Sequence, residues 1–329
     1  MAATIKDVAR RAGVSISTVS LVFNQKGSVS HATRERVYEA AKALGYRPNS
    51  VARSLVTRRS RSVGLVIPEL TDPYFLEIAK GASRTAVERG YALLLVDTDR
   101  DVQKEEAAIA ALGQQQAAAL ILAGAGVGGS GELTQFAADG RAVVVIGRSD
   151  LPFAAVAVDN VAAGALPGAH LLTRGRRRIA YIDGPPGLTT TADRLAGLRT
   201  ALSEGGVELR PDHIETGDFT LDGGYAAAKA LLARITPDAV AVANDQMAIG
   251  VLKAVRECGL RVPDDVAICG IGDIPTAAFT EPPLTTVALP LRELGRRAML
   301  SALRLTGEEA VPADDGAPLA VQLVVRAST

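Results

Sequence analysis

The chain has 329 residues, which is too long for one ordinary domain and predicts two or three. Hydrophobic residues make up 48% of it but aromatic residues only 4%, so Ala, Val, Leu and Ile must fill a sizeable core. MAATIKDVARR has no apolar run typical of a secretory signal, and no stretch approaches the roughly 18 apolar residues of a membrane span. We therefore expect a cytoplasmic protein in which Cys258 and Cys269 are buried, reduced thiols.

The zero net charge conceals two oppositely charged regions. Residues 1–61 hold 12 lysine and arginine residues against 3 aspartate and glutamate residues, a net charge of +9, which leaves −9 for the remainder. A small basic segment joined to a larger acidic body favours a polyanion-binding domain attached to a domain of another kind. A solvated basic surface without a partner would give the same charge, so the motifs have to decide between the two.

Three short helices are predicted in the basic segment, over residues 5–12, 16–24 and 32–44. Thr4 and Asp7 match a capping box at the start of the first helix. Gly13 ends that helix and Ser15 can cap the second, so the two are joined by a turn of about three residues, as in a helix-turn-helix. Ser30 can cap the third helix.

The second of these helices has an unusual surface. Val19 and Val22 give it an apolar face, whereas the opposite face carries hydroxyl groups and almost no charge. In a helix-turn-helix the second helix enters the major groove, where short Ser and Thr side chains can donate hydrogen bonds to phosphate oxygens. Ile16 and Leu21 can pack on a thymine methyl group, so we expect an A·T pair opposite Leu21. A three-helix bundle with only a structural role does not explain the uncharged face.

A further short helix is predicted after Pro48, over residues 50–56, followed by a basic linker over 57–61. With at most two turns, this helix is marginal in water on its own. Its apolar residues, including Leu55, have nothing local to bury against. We therefore expect it to fold only when a partner copy and DNA hold it.

TIKDVARRAGVSISTVSLVFN, VSHATRERVYEAAKALGYRPN and SVARSL resemble the headpiece and hinge helix of the lactose-repressor (LacI/GalR) family. The resemblance implies binding to a palindromic operator, with Leu55 wedged into the minor groove at a central CG step. No heptad repeat ends the chain, so we expect a homodimer rather than a tetramer. The DNA-binding candidates are Thr4, Ser15, Ile16, Ser17, Thr18, Ser20, Leu21, Asn24, Asn49, Val51, Ala52, Arg53 and Leu55.

From about residue 62, apolar runs alternate with helical stretches. We predict one set of strands over 63–67, 91–96, 118–122, 142–146 and 154–158, and a second over 178–182, 213–215, 239–243, 266–269 and 285–289. Helices are predicted over 75–89, 105–113, 193–204, 223–234 and 247–258. This alternation indicates parallel sheets covered on both faces, and two sets of five suggest two similar lobes. A ligand then lies beyond the carboxyl ends of the strands, in the cleft between the lobes.

VGLVIPELTDPYFLEIAKG, VDN, RRRIAYIDGP, GDFT, ANDQMAIG, GIGDIP and PPLTTV resemble the effector-binding domain of the same family, a relative of periplasmic sugar-binding proteins. The expected fold is an all-α helix-turn-helix headpiece with a hinge helix, followed by an α/β periplasmic-binding-protein-like domain of two parallel-sheet lobes. The expected domains are 1–46 for the headpiece, 47–61 for the hinge and 62–329 for the effector-binding domain. Its N-lobe is expected over about 62–160 and 291–316, and its C-lobe over about 161–290 and 317–329.

Candidate effector contacts lie at the predicted strand ends. Carboxylate and guanidinium groups can pair with several hydroxyl groups, and an aromatic ring can cover the apolar side of a sugar, so a sugar or another polyhydroxylated ligand is favoured. The candidates are Asp72, Tyr74, Phe75, Arg148, Asp159, Thr190, Arg194, Phe219, Asn244, Asp245 and Asp273. The family resemblance points most strongly to Arg194, Phe219 and Asp273, while Asp159 and Asp245 could equally cap loops or helices.

Two patterns imitate other sites. Gly124–Gly129 fits GxGxxG, but a dinucleotide site needs it in the first strand-helix unit, so we interpret it as a loop. Residues 97–101 resemble the start of a calcium loop, but Val102 and Ala108 replace the required Gly and Glu, so the segment is expected to end a strand and cap the next helix. The histidines are scattered and no GxSxG, HExxH or Walker A sequence occurs. No metal, cofactor or enzymatic activity is therefore predicted.

Together these features predict a ligand-responsive transcription regulator that represses carbohydrate genes and whose partners are operator DNA and a sugar or sugar derivative. Purine-binding members of the family carry an arginine at the position of Leu188, which disfavours a purine effector. The alternative is a sugar-binding or sugar-modifying protein with an accessory nucleic-acid-binding head. The basic head argues against a transport role, and an enzyme would turn over the bound sugar.

Overall fold

The structure is a computed structural model that describes residues 3–23, 29–46, 60–124, 131–147, 151–308 and 316–329. The chain divides into two compact units, Met1–Ser60 and Arg61–Thr329. The predicted hinge helix and most of the Gly-rich run that begins at Gly124 lie outside the described residues. So do the candidates Asn24, Asn49, Val51, Ala52, Arg53, Leu55 and Arg148. No helix within the described ranges combines the length and the apolarity that crossing a membrane requires.

The first unit contains the three predicted helices, α1 (Ile5–Ala12), α2 (Ile16–Phe23) and α3 (His31–Ala43). The capping box is confirmed, because the Thr4 backbone N–H donates to the Asp7 carboxylate at 3.0 Å. Ser15 accepts a hydrogen bond from the Thr18 N–H at 3.1 Å and so caps α2 as predicted. Small apolar residues from all three helices form the core: Val8, Ala9, Ala12, Val19, Val22, Val37, Ala40 and Ala41.

The second unit alternates strands and helices, as predicted. Its strands are β1 (Ser62–Ile67), β2 (Ala92–Asp97), β3 (Ala119–Ala123), β4 (Ala142–Ile146), β5 (Ala154–Val156), β6 (Ile179–Asp183), β7 (Ile214–Thr216), β8 (Ala239–Val242), β9 (Ala267–Gly272), β10 (Thr285–Ala288) and β11 (Gln322–Val324). Its α-helices are α4 (Pro73–Glu88), α5 (Val102–Gln114), α6 (Gly131–Ala138), α7 (Asn160–Thr173), α8 (Thr189–Glu204), α9 (Leu221–Leu232), α10 (Asp245–Glu257) and α11 (Leu291–Leu305).

Two sheets form two lobes with the same strand order. The first sheet runs β2-β1-β3-β4-β5 with every pair parallel. The second runs β11-β10-β9-β8-β6-β7, so its five parallel strands repeat the same pattern. In each lobe the connections reverse direction between the first strand and the third, which opens a crevice at the carboxyl ends of those strands. Helix α11 packs against α4 of the first lobe, although it follows the last long strand of the second.

Several expectations need correction. The second sheet is not wholly parallel, because β11 pairs antiparallel with β10. Helices α6 and α7 were not predicted; Pro167 and two glycines interrupt the helical pattern of α7, yet its packing against α8 maintains the helix. Cys258 is exposed at the end of α10 rather than buried, whereas Cys269 is buried as expected.

The crossing of α7 and α8 depends on two glycines. A Cβ atom on Gly164 would lie 1.9 Å from the carbonyl oxygen of Arg194, and one on Gly197 would lie 1.9 Å from that of Val161. No side chain fits at such distances, so the two helix backbones pack directly against each other at these glycines. This contact fixes the start of α8, and with it Arg194, against the start of α7.

Candidate effector cavity and DNA-reading helix

A cavity of about 570 Å³ lies between the two lobes at the carboxyl ends of their strands. Its size falls within the usual range of small-molecule sites. The first lobe contributes residues that follow β1, β3 and β4, and the second lobe residues that follow β6, β8 and β9. The structure brings the following predicted contacts to its wall: Asp72, Tyr74, Phe75, Thr190, Arg194, Phe219, Asn244 and Asp245.

Arg194 is the buried cation of this cavity, with 3% of its surface exposed. Its Nε donates to the side-chain oxygen of Asn160 at 3.0 Å, and its Nη1 donates to the carbonyl oxygen of Ala243 at 2.6 Å. Burial lowers the pKa of the guanidinium, and among the described residues no carboxylate forms an ion pair with it. The charges of Asp245 and Asp183 partly offset the effect of burial, and the remaining N–H groups are held in place where a ligand oxygen can accept from them.

Phe219 and Asn244 form one unit on the second lobe. Phe219 adopts a left-handed backbone conformation with φ 68°, which is unusual for an aromatic residue. The side-chain amide of Asn244 donates to the carbonyl oxygen of Phe219 at 3.0 Å, while its oxygen caps α10 by accepting from the N–H of Met247. This conformation places the Phe219 ring against Gly184, where no larger residue would fit.

The first lobe supplies two aromatic rings from the start of α4. Tyr74 and Phe75 pack edge to face with their ring centroids 5.0 Å apart. Asp72 caps α4 by accepting a hydrogen bond from the N–H of Tyr74 at 2.9 Å. Burial raises the pKa of the Asp72 carboxyl. Rings and carboxyl oxygens together can cover the apolar face and bind the hydroxyl groups of a sugar.

Asp245 has a structural role beside any contact with a ligand. It is 1% exposed, and its two carboxyl oxygens accept from the Ile274 N–H at 3.0 Å and from the Thr286 hydroxyl at 2.5 Å. Burial raises its pKa to about 6. These bonds tie the start of α10 to β9 and β10, and the residue still forms part of the cavity wall.

Two predicted contacts do not line the cavity. Asp159 caps α7 by accepting from the N–H of Ala162 at 2.8 Å. Asp273 has φ 51°, and its carboxylate accepts a hydrogen bond from Nη2 of Arg326 at 2.6 Å, an ion pair between the end of β9 and the last residues of the chain. Both carboxylates are engaged outside the cavity wall in this arrangement.

The cavity also contains residues that sequence reasoning missed. Asn160 orients Arg194, and Gln246 is half-buried beside Asp245 on the cavity wall. Arg100 and Glu105, which flank the start of α5, line the cavity from the first lobe. Asn160 adjoins Asp159 in the VDN motif, so the motif indicates this part of the cavity, and Asp159 takes the capping role that the sequence left open.

In the first unit, α2 exposes the surface predicted to read DNA. Ile16 is 45% exposed and Leu21 is 41% exposed, while Val19 and Val22 are buried. The Ser15 hydroxyl lies 2.7 Å from that of Ser17 and 2.9 Å from that of Thr18. The side chain of Thr4 is hydrogen-bonded to Asp7, and Ser20 is half-buried. Within the described residues, this surface is the uncharged, hydroxyl-lined face that the sequence indicated.

Both units match families of known proteins. Residues 4–49 match the bacterial regulatory proteins of the lacI family, and residues 169–329 match the periplasmic binding protein-like domain. The chain is 38% identical to the ribose operon repressor of Escherichia coli (strain K12) over 304 residues, which are 90% of this chain and 91% of that protein. It is 36% identical to the repressor PurR of Erwinia tasmaniensis over 302 residues, 90% of this chain and 88% of that one.

Among solved structures, the lac repressor dimer bound to operator and the anti-inducer ONPF has a TM-score of 0.86 and 30% identity, and the match covers 100% of this chain and 99% of that one. The chain belongs to the LacI family. The resemblance inferred from the sequence is thus confirmed, and so is the fold of a helical headpiece followed by a periplasmic-binding-protein-like domain. As a member of this family, the protein is a ligand-controlled, DNA-binding transcriptional regulator.

Proposed function

We propose that this LacI-family regulator is a cytoplasmic, dimeric repressor of carbohydrate genes whose operator affinity is set by a sugar or sugar derivative bound in the cavity. The buried guanidinium of Arg194, which forms no ion pair among the described residues, carries this proposal. It is held by Asn160 and by a main-chain carbonyl, so its free N–H groups are oriented before a ligand arrives. Sugar hydroxyl groups can accept from it without bringing a charge into the cavity.

The surroundings of Arg194 support a polyhydroxylated ligand. The rings of Tyr74, Phe75 and Phe219 can cover the apolar faces of a sugar, and Asn244 offers an amide. Leu188 lies on the cavity wall, at the position where purine-binding relatives carry an arginine, so this wall lacks the donor that a purine would use. Purines are therefore the alternative effector class in the test, in view of the similarity to PurR, and sugars are the preferred class.

Exposed apolar side chains support a homodimer. Phe279 is 87% exposed in the second lobe, and Val87 on α4 is 71% exposed in the first. The neighbouring edge strand β2 also exposes Leu95, at 40%. We propose that these side chains lie in the dimer interface, where association would remove them from water. Sedimentation at micromolar concentration is expected to show a dimer, whereas a stable tetramer would contradict the proposal.

DNA reading is assigned to α2. Leu21 and Ile16 project from it and can pack on thymine methyl groups, so half-sites are expected to place an A·T pair opposite Leu21. Leu21→Arg supplies a bidentate donor and is expected to shift the preference at that position toward guanine. Selection of binding sites from random duplexes with both proteins checks this, and identical preferred sequences would refute the assignment.

Effector identity is tested by thermal stability in the presence of sugars, sugar phosphates and purines. A ligand that binds only the folded state raises the melting temperature by mass action. We expect sugars to do so and hypoxanthine and guanine to have no effect. Chromatography of the sugar after incubation with the protein distinguishes a repressor from the alternative, a sugar-modifying enzyme. A repressor leaves the sugar chemically unchanged. Stabilisation by a purine alone would overturn the proposed effector class.

A further inference from the structure

The polypeptide that joins the two compact units enters the second unit at Arg61, directly after Ser60. Both the backbone and the side chain of Arg61 are held there. Its carbonyl oxygen accepts from the N–H of Ala92 at 2.8 Å, which attaches it to the start of β2. Its guanidinium carbon lies 5.9 Å from the centroid of the Tyr91 ring, within the range of a cation–π contact.

Tyr91 connects Arg61 to the end of α4 and to the residues that follow α11. Its N–H donates to the carbonyl oxygen of Ala86 at 2.8 Å, across a turn at Gly90, and its ring packs half-buried against the core of the first lobe. Its hydroxyl group donates to the carboxylate of Glu308 at 3.3 Å. Burial raises the pKa of this hydroxyl, so it keeps its proton and remains the donor.

The two helices that meet at Tyr91 both begin at the effector cavity. Tyr74 and Phe75, at the start of α4, line the cavity wall, and so does Leu294, at the start of α11. Glu308 follows the other end of α11, where its N–H donates to the carbonyl oxygen of Leu303 at 3.2 Å. Each helix is about 22–24 Å long, so the pair extends from the cavity to Tyr91.

These two helices pack directly backbone against backbone near the cavity. A Cβ atom on Gly81 would lie 1.9 Å from the carbonyl oxygen of Arg292, and one on Gly295 would lie 2.0 Å from that of Ile78. Arg292 also forms an ion pair with Glu77 of α4. Because such a close-packed pair has no room to compress, a displacement at its cavity end moves its other end as well.

We propose that Arg61, Tyr91 and Glu308 form a coupling cluster, which fastens the connection to the DNA-binding unit onto α4 and α11 and so transmits the occupancy of the cavity to operator affinity. They are positioning residues, since they lie outside both the cavity wall and the DNA-binding unit. The inference rests on the proposed function, because the coupling starts at the effector cavity. It supplies the physical element that both sites bias, which coupling between two distant sites requires.

The second lobe contains a cluster of the same chemistry without a connection to the other unit. Nζ of Lys253 lies 4.8 Å from the centroid of the Tyr225 ring, and the Tyr225 hydroxyl donates to the carboxylate of Glu257 at 2.6 Å. This cluster links α9 with α10 on the surface. It provides a matched control in which the same kinds of contact are removed at another place.

The first test measures the operator Kd by fluorescence anisotropy, with a selected palindromic duplex, with and without saturating ribose, galactose or cellobiose. Tyr91→Leu is expected to bind each sugar within about twofold of the wild type by calorimetry, whereas the effect of sugar on the operator Kd falls from about tenfold to less than about twofold. Arg61→Lys keeps the cation and is expected to keep the effect, and so is the control Tyr225→Leu. A full sugar effect in Tyr91→Leu would show that the cluster only stabilises the lobe.

The second test needs no sugar, because coupling between two sites is reciprocal. Hydrogen exchange of the full chain is measured with and without the same duplex. Operator binding is expected to change the exchange rates of the amides at the cavity ends of α4 and α11 by about threefold or more in the wild type, and not in Tyr91→Leu. No change in the wild type, or an equal change in both proteins, would overturn the inference. If none of the three sugars binds, the proposed effector class is wrong, and this measurement still decides whether the cluster couples the cavity to DNA.

Discussion

The two lobes that border the cavity have sheets of the same strand order, yet the hydrogen bonding of their polar groups differs. At the second-lobe end, Arg194 donates to Asn160 and to a main-chain carbonyl, and both carboxyl oxygens of Asp245 accept hydrogen bonds. At the first-lobe end, the buried Oε1 of Glu105 has no partner. Folding has thus oriented the Arg194 guanidinium in advance, whereas the Glu105 carboxyl oxygen keeps an unmet hydrogen bond, as do the buried hydroxyl groups of Tyr181 and Thr191 in the second lobe.

This difference separates two ways of using a buried polar group. An oriented donor such as Arg194 loses little further freedom when a ligand arrives, which favours affinity. An unsatisfied buried acceptor such as Glu105 destabilises the folded protein.

The largest effect is expected at Arg194. Arg194→Met keeps much of the side-chain volume but removes every donor, so sugar affinity is expected to fall by about 100-fold or more. Operator binding without sugar is expected to persist. Arg199→Met, on an exposed position of the same helix, is the matched control and should bind sugar as the wild type does. Titration calorimetry measures both, and equal affinities would remove Arg194 from the site.

The packing of α7 against α8, which positions Arg194, can be disrupted without changing a polar side chain. Gly164→Ala places a methyl group where the Arg194 carbonyl oxygen lies, so α7 and α8 must separate, at a cost of about 2–3 kcal/mol. The melting temperature and the sugar affinity are expected to fall together. Gly131→Ala, at a helix start with open space around the added atom, is the control and should be neutral. A stable Gly164→Ala protein with wild-type affinity would show that the close crossing is not needed.

A smaller effect is expected from the titration of Glu105. The pKa of Glu105 is about 7 in the folded protein against 4.5 for a free glutamate, so the folded state holds this proton more tightly. Its contribution to stability is full below pH 4.5 and is lost as pH rises to about 7. The loss approaches about 3 kcal/mol, so Glu105→Gln is expected to melt higher than the wild type at pH 8 by about 5 °C, with little difference at pH 4.5. A melting difference that is the same at both pH values would contradict the raised pKa.

The sequence predicted the elements of the fold better than the contacts of the site. Alternating apolar runs located the strands within a few residues, and β4 agrees at both ends. The site depends on which residue of a turn points inward: in VDN, Asp159 caps α7 and Asn160 binds Arg194. Glu105 stands in the charged run Lys104–Glu106, and only the packing of α5 against the sheet shows that it is buried. The pairing of Asp273 with Arg326 joins residues 53 positions apart, which no local pattern reveals.

The most direct test of the account measures operator affinity with and without sugar. A palindromic duplex obtained by selection is titrated, by fluorescence anisotropy, with the wild type and with Arg194→Met, each with and without a saturating amount of the sugar that binds most tightly. The account predicts that sugar changes the operator Kd of the wild type by about tenfold or more and leaves that of Arg194→Met unchanged, because coupling between two sites requires a ligand that distinguishes two states. A sugar that binds the wild type but does not change its operator Kd would contradict control of DNA binding through this cavity.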